Sequence, residues 1–155
     1  MNLTTFLLDE WLDDHEDPTP EFNLGGSTGP RWSLGEVLDL ESGSRERLLR
    51  ADVIYPPSAG ALGLRAAIGA MCAVDPEHVV VVAGASEALL HVFFDAAQPG
   101  ANVLVPFPGF PPYAAIPEGL GVEVRRYHLR PESAYRIDFD ELERLADRRT
   151  ALLLV

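Results

Sequence analysis

Apolar residues change their spacing several times along this 155-residue chain, and each change predicts an element. Phe6, Leu7, Trp11 and Leu12 fall on one helical face, predicting an amphipathic arm that needs another surface to pack against. Pro18 to Pro30 is rich in proline, glycine and threonine, which is loop chemistry. Ser33 with Glu36 has the spacing of a capping box opening a short helix. Glu41 to Arg50 is polar and reads as a connection. From Ala59 to Ala73, Leu62, Leu64, Ala66, Ala67, Ile68 and Met71 predict a buried helix that ends near Asp75-Pro76.

The pattern then changes character. His78 to Ala83 contains Val79, Val80, Val81 and Val82 with no polar alternation, as expected for a strand covered on both faces. Gly84-Ala85-Ser86 follows without a gap, and Glu87 to Ala97 returns to helix. Pro99-Gly100 turns into a second apolar strand, Asn102 to Val105, which ends in the proline-rich run Pro106 to Tyr113. A helix is predicted from there to Glu118. A third strand, Val122 to Leu129, alternates and so reads as less covered. Asp138 with Glu141 predicts another capping box, opening a helix to about Asp147, and Ala151 to Val155 begins a further apolar strand. Strands alternating with helices imply βαβ units, hence an α/β fold with a mainly parallel sheet and flanking helices.

Composition narrows the functional classes. The formal charge of −12 argues against a nucleic-acid partner, because the chain would repel a polyanion. Cys72 is the single cysteine, so no intramolecular disulfide and no cysteine cluster for a metal can form, and a reducing, cytoplasmic setting fits. His15, His78, His91 and His128 are scattered without ligand spacing. The first residues carry acidic groups and no continuous apolar block, predicting neither a signal peptide nor a membrane span. All twelve cationic residues are arginine.

In open α/β sheets, ligands bind beyond the carboxyl ends of the strands, where Gly84-Ala85-Ser86 is predicted to lie. Small side chains there admit an anion to backbone N–H groups at a helix start, and the Ser86 hydroxyl adds a donor. The same segment can equally be a packing turn with Ser86 as N-cap.

The ordered set Tyr55-Pro56, Gly60, Leu64-Arg65, Gly84-Ala85-Ser86-Glu87-Ala88-Leu89, Pro99-Gly100, Val103-Leu104-Val105-Pro106, Pro108 and Tyr113 resembles the class I/II aminotransferases. These are fold-type-I pyridoxal-phosphate enzymes, and the likeness runs from about Asn23 to Val155. The resemblance implies that Gly84, Ala85 and Ser86 hold the phosphate of pyridoxal 5'-phosphate and that Phe110 stacks on its ring. It implies that Tyr55 reaches the phosphate in the neighbouring subunit of a homodimer, and that Gly26 and Ser27 lie beside the substrate carboxylate. A serine at position 27, where glycine is common, leaves substrate choice open. Trp32 can wall the substrate pocket, and packing roles for Tyr55, Phe110 and Trp32 are the competing readings. Glu87 is assigned no chemistry.

On this resemblance, residues 1–50 form an arm with a substrate-side loop, and 51–155 form the first part of the cofactor-binding large domain. The implied activity is amino-group transfer between an amino acid and a 2-oxo acid. Alternatives are another pyridoxal-phosphate reaction (decarboxylation, C–S lysis or a cyclising synthesis) and a non-catalytic, aminotransferase-like ligand-binding domain. The family lysine that joins the cofactor as a Schiff base has no counterpart, since the chain contains no lysine. We therefore expect no catalytic residue within these 155 positions, no activity from them alone, and a natural protein that continues past Val155.

Overall fold

The computed structural model describes residues 6–15, 21–22 and 29–155. The chain forms two compact units, one of His15–Val81 and one that joins the residues up to Asp14 to Val82–Val155. The predicted arm is helix α1 (Leu7–Asp14), on which Leu7, Leu8 and Trp11 are exposed.

Within His15–Val81, helix α2 (Leu34–Asp39) opens on the predicted capping box. The Ser33 hydroxyl accepts from the Glu36 N–H at 3.1 Å, and the Glu36 carboxylate accepts from the Ser33 N–H at 2.7 Å. The polar stretch expected to be a connection instead forms helix α3 (Ser44–Leu49). None of its residues is buried, which is why hydrophobic spacing misses it; on its exposed surface Arg45 pairs with Asp39 at 3.0 Å and Arg47 with Glu41 at 2.9 Å.

Helix α4 (Leu62–Cys72) forms where predicted, but it is not the buried helix its apolar residues suggest. Only Gly69 is buried, while Leu62, Leu64 and Met71 are exposed, because the helix packs chiefly against the single turn Pro76–His78. Arg65 clamps that turn, donating to the carbonyls of Val79 at 2.8 Å and Pro76 at 2.6 Å.

The valine run is also not a strand. Val79 is buried, but Val80 is 65% exposed, and no described strand pairs with the run. Besides the Arg65 clamp and the bond from the Val79 N–H to the Pro76 carbonyl, the run has one longer-range backbone bond, from the Val81 N–H to the Ala59 carbonyl. A ladder requires a neighbour, so β-branched composition alone leaves this segment extended but unpaired.

The second unit contains the predicted α/β layers. Helix α5 (Ala85–Ala96) leads to strand β1 (Asn102–Phe107), helix α6 (Pro112–Gly119), strand β2 (Glu123–His128), helix α7 (Phe139–Leu145) and strand β3 (Thr150–Leu153). The sheet is parallel, in the order β2-β1-β3. Because β2 and β3 flank β1 on opposite sides, right-handed crossovers place α6 and α7 on opposite faces. Phe93 of α5 and Ile116 of α6 pack on Val103 and Val105, whereas Leu142 of α7 packs on Leu104 and Tyr127. Both faces of β1 are thus covered, as its continuous apolar run requires. Strand β2 is at an edge, in keeping with its alternation. Strand β3 is at the other edge, so Ala151 and Leu153 are exposed despite their apolar character.

Two polar ties fix this sheet. Asn102, completely buried at the start of β1, donates to the Asp147 carboxylate at 2.9 Å and accepts from the Thr150 hydroxyl at 2.8 Å. Asp147 is further held by the Arg149 N–H at 2.8 Å and Arg125 Nη2 at 3.0 Å. The backbone N–H of Arg149 and the Asn102 amide hold its carboxyl far below the usual carboxylate range. On the α7 face, the buried Tyr127 hydroxyl donates to the Leu154 carbonyl at 2.7 Å, and burial pushes the phenol pKa up.

Asn102→Ala should therefore destabilise the protein by about 2 kcal/mol, the scale of losing buried hydrogen bonds together with some packing. Urea unfolding checks this, and a midpoint equal to that of the wild type would show that the network contributes nothing.

Candidate functional site

The loop ends that can build a site cluster at the carboxyl end of the sheet. Helix α5 packs along β1 through Leu89 and Phe93 and joins the start of that strand by a short turn. Its N-terminus therefore lies at the opposite end, the end at which β1 delivers Phe107 to Phe110. An α5 length of about 18 Å, at about 1.5 Å per residue, matches a β1 length of about 20 Å.

Gly84 is the N-cap of α5, with φ 96° and ψ 171°, a conformation that L side chains avoid. The Gly84 carbonyl accepts from Ala88, at 3.3 Å, the first intrahelical bond. The N–H groups of Ala85, Ser86 and Glu87 precede that bond and are the donors a helix start leaves without helical partners. Gly84 supplies no side-chain cap, and Ser86 is the second residue of the helix rather than its N-cap. Three backbone donors, the Ser86 hydroxyl and the positive end of the helix dipole make a donor set suited to a phosphate.

Phe110 follows the cis Phe107-Pro108 peptide and Gly109. A side chain at Gly109 would bring its Cβ within 2.6 Å of the Pro106 carbonyl oxygen, so the tight approach of this loop to its own strand needs glycine. The Phe110 ring is 41% exposed and meets Tyr113 at a centroid distance of 5.7 Å and an interplanar angle of 84°. That edge contact fixes the plane of an accessible aromatic ring.

At the same end of the sheet, His128 closes β2 opposite Phe107, with ring centroids 5.9 Å apart. His128 Nδ1 lies 2.7 Å from Glu141 Oε1, and Arg130 Nη1 donates to Glu141 Oε2 at 3.0 Å. The His128 bond and then the Arg130 bond pull the Glu141 carboxyl down to about 2. The predicted capping box at α7 is consequently half made. Asp138 accepts from the Glu141 N–H at 3.1 Å, but the Glu141 side chain is drawn away to His128 and Arg130.

Tyr55, Gly26 and Ser27 complete the predicted site residues. Tyr55 lies in the His15–Val81 unit, on an extended segment, and is 98% exposed. Gly26 and Ser27 lie outside the described residues. Glu87, assigned nothing from sequence, accepts a hydrogen bond from the Ala83 N–H with one carboxylate oxygen, while the other lies 3.7 Å from His91 Nε2. A glutamate three positions after an N-cap is the signal that could have found it.

Comparison with known proteins settles the family. The sequence model described as "Aminotransferase class I and II" matches residues 41–155. The chain belongs to the class I and II aminotransferases. It is 38% identical over 144 residues to tyrosine aminotransferase of Homo sapiens, a match covering 90% of this chain and 30% of that protein. It is 37% identical over 107 residues to S-alkyl-thiohydroximate lyase SUR1 of Arabidopsis thaliana, covering 65% of this chain and 23% of that protein. The crystal structure of a PLP-dependent aminotransferase from Streptococcus suis superposes with a TM-score of 0.86 at 24% identity, covering 99% of this chain and 42% of that one, a likeness of fold. The chain thus spans less than a third of the length of these two curated relatives. Among the described residues, no helix of this aminotransferase-family chain is long and apolar enough to cross a membrane.

The depressed carboxyl of Glu141 carries a pH prediction. A carboxyl whose pKa falls from 4.5 to about 2 on folding contributes stability that is complete above about pH 5 and lost as pH falls through 2. The stability difference between wild type and Glu141→Gln should therefore be full at pH 7 and shrink steadily from pH 4.5 downward. Urea midpoints at pH 7, 4 and 3 measure it, and a difference that does not change with pH would refute the assignment.

Proposed function

We propose that this chain is part of a pyridoxal-phosphate-dependent aminotransferase that moves an amino group between an amino acid and a 2-oxo acid. The observation that carries the reading is the start of α5, where Gly84 at φ 96° presents the unpaired N–H groups of Ala85 and Ser86 within a class I and II aminotransferase sequence. The residues present fit the phosphate end of the cofactor. The backbone donors and the Ser86 hydroxyl would bind it, and the accessible Phe110 ring would lie against the pyridine. When bound, pyridoxal phosphate supplies an electron-withdrawing ring that stabilises negative charge at the Cα of an amino acid.

The remaining roles follow the same reading. Tyr55, exposed on its extended segment, would donate its phenol to the phosphate in the partner subunit of a homodimer. Gly26 and Ser27 would border the substrate carboxylate. Residues 1–50 would serve as arm and substrate-side loop, and 51–155 as the first part of the large domain. The amine that must bond the cofactor would come from a part of the protein other than these lysine-free residues. A single cysteine suits a cytoplasmic enzyme. The similarity to human tyrosine aminotransferase makes aromatic amino acids the first substrates to try.

A second reading, C–S lysis, is favoured by one observation, the 37% identity to the Arabidopsis lyase. The two separate in a single-turnover experiment on the full-length protein. Transfer converts bound cofactor to its amine form with tyrosine and regenerates it with a 2-oxo acid, whereas lysis releases a thiol from an S-substituted substrate and leaves the cofactor form unchanged. Failure of every amino acid to yield the amine form would overturn the transfer assignment. Tyr55→Phe should weaken cofactor affinity about tenfold, the scale of one hydrogen bond to a charged group. Equilibrium dialysis reads that change.

A further inference from the structure

Glu87 sits at the third position of α5, where its carboxylate is set between two groups. One oxygen accepts from the N–H of Ala83, the residue immediately before Gly84, and the other faces His91 one helical turn on, at 3.7 Å. In an ordinary capping box the side chain at this position returns to the N-cap residue itself. Here it reaches one residue further back, to the peptide that feeds the N-cap. The Gly84 N–H, meanwhile, donates to the Val82 carbonyl at 3.0 Å. The peptides on both sides of Ala83 are therefore tied down, and among the described residues the N–H groups of Ala85 and Ser86 have no internal acceptor.

This arrangement addresses a weakness of the turn. Gly84 has no Cβ to restrict it, and a side chain there would meet nothing within 4 Å, so packing does not hold its unusual φ of 96°. A glycine in open space samples many conformations, and an anion that needs several N–H groups to converge would bear that ordering entropy on binding. A tether that fixes the turn beforehand removes the penalty. The carboxylate also brings a negative charge close to where an anion would sit, which opposes binding. The two effects differ in what they need, since the tether requires an acceptor of the right reach and the repulsion requires the charge.

We propose that Glu87 is a positioning residue for the phosphate cradle: by accepting the Ala83 N–H it preorganises the Gly84 turn so that Ala85 and Ser86 present their N–H groups to the phosphate. This rests on the cofactor reading above, from which it can be separated experimentally. The test uses the full-length protein in its apo form and measures, by equilibrium titration, the affinities for pyridoxal phosphate and for pyridoxal, which lacks the phosphate. In wild type, pyridoxal phosphate should bind far more tightly than pyridoxal. Equal affinities would overturn the cradle itself, and the role of Glu87 with it.

Given that preference, Glu87→Ala should weaken pyridoxal phosphate about tenfold, as expected for one lost hydrogen bond, and leave pyridoxal within about twofold. Glu87→Gln keeps an acceptor of the same reach and drops the charge, so it should bind pyridoxal phosphate as tightly as wild type or more so. Glu87→Asp keeps the charge but shortens the side chain, and should resemble alanine. Inorganic phosphate used as a competitor should follow the same order. Equal weakening of both ligands by Glu87→Ala, or no weakening of either, refutes the proposal. So does a glutamine variant as poor as alanine, and if the alanine variant fails to fold, the glutamine and aspartate comparison decides alone.

Discussion

The sheet depends on one buried carboxamide. Asn102 enters β1 with no solvent to satisfy it, so both ends of its amide must find partners within the fold, and they find them on the segment that leads into β3. That requirement sets β3 beside β1, and Asp147, once engaged, recruits Arg125 from β2 on the other side. Arg125 in turn bonds Glu123 at 2.7 Å and the Leu145 carbonyl at 2.6 Å at the end of α7. Each strand and the α7 connection are thus indexed to a single polar residue. Apolar packing on either face of β1 supplies the bulk of the driving force, and the amide ties the start of the strand to the segment leading into β3, where the ladder shifts register between Asn102 and Val103.

With the strands indexed at their amino ends, their carboxyl ends are placed without further adjustment. The Phe107–Phe110 turn leaves β1 at a defined height, His128 arrives opposite Phe107, and α5 returns its first turn to the same end. The tie from Tyr127 to Leu154 works from beneath, joining the β2 edge to the residue that follows β3. The turns at Gly84 and Phe110 are therefore anchored from the opposite end of the sheet.

Much of this was legible in the sequence. Val103, Leu104 and Val105 announced an apolar strand, and the alternation of Val122 to Leu129 announced a less covered one. The turn at Gly84 was legible because small residues stand between an unbroken apolar run and a helical period. What could not be read were properties that belong to pairs. The valines of 79–82 have strand composition, yet a strand exists only beside another. The polar segment at Ser44 forms a helix that buries no residue and so leaves no apolar period to read. Glu87 and Glu141 both have the spacing of helix-capping acids, yet one reaches back past its cap to Ala83 and the other is captured by His128 and Arg130. Spacing marks a residue as able to cap; its competing partners decide whether it does.

The polar network at Asn102 and the turns at Gly84 and Phe110 occupy opposite ends of strands about 20 Å long. The two ends are joined by the doubly covered β1 and by α5 packed along it. Loops at the carboxyl end are free to diversify, exchanging residues and preferences for ligands, while the frame that carries them stays intact. A lineage built this way can change its chemistry without first risking its fold.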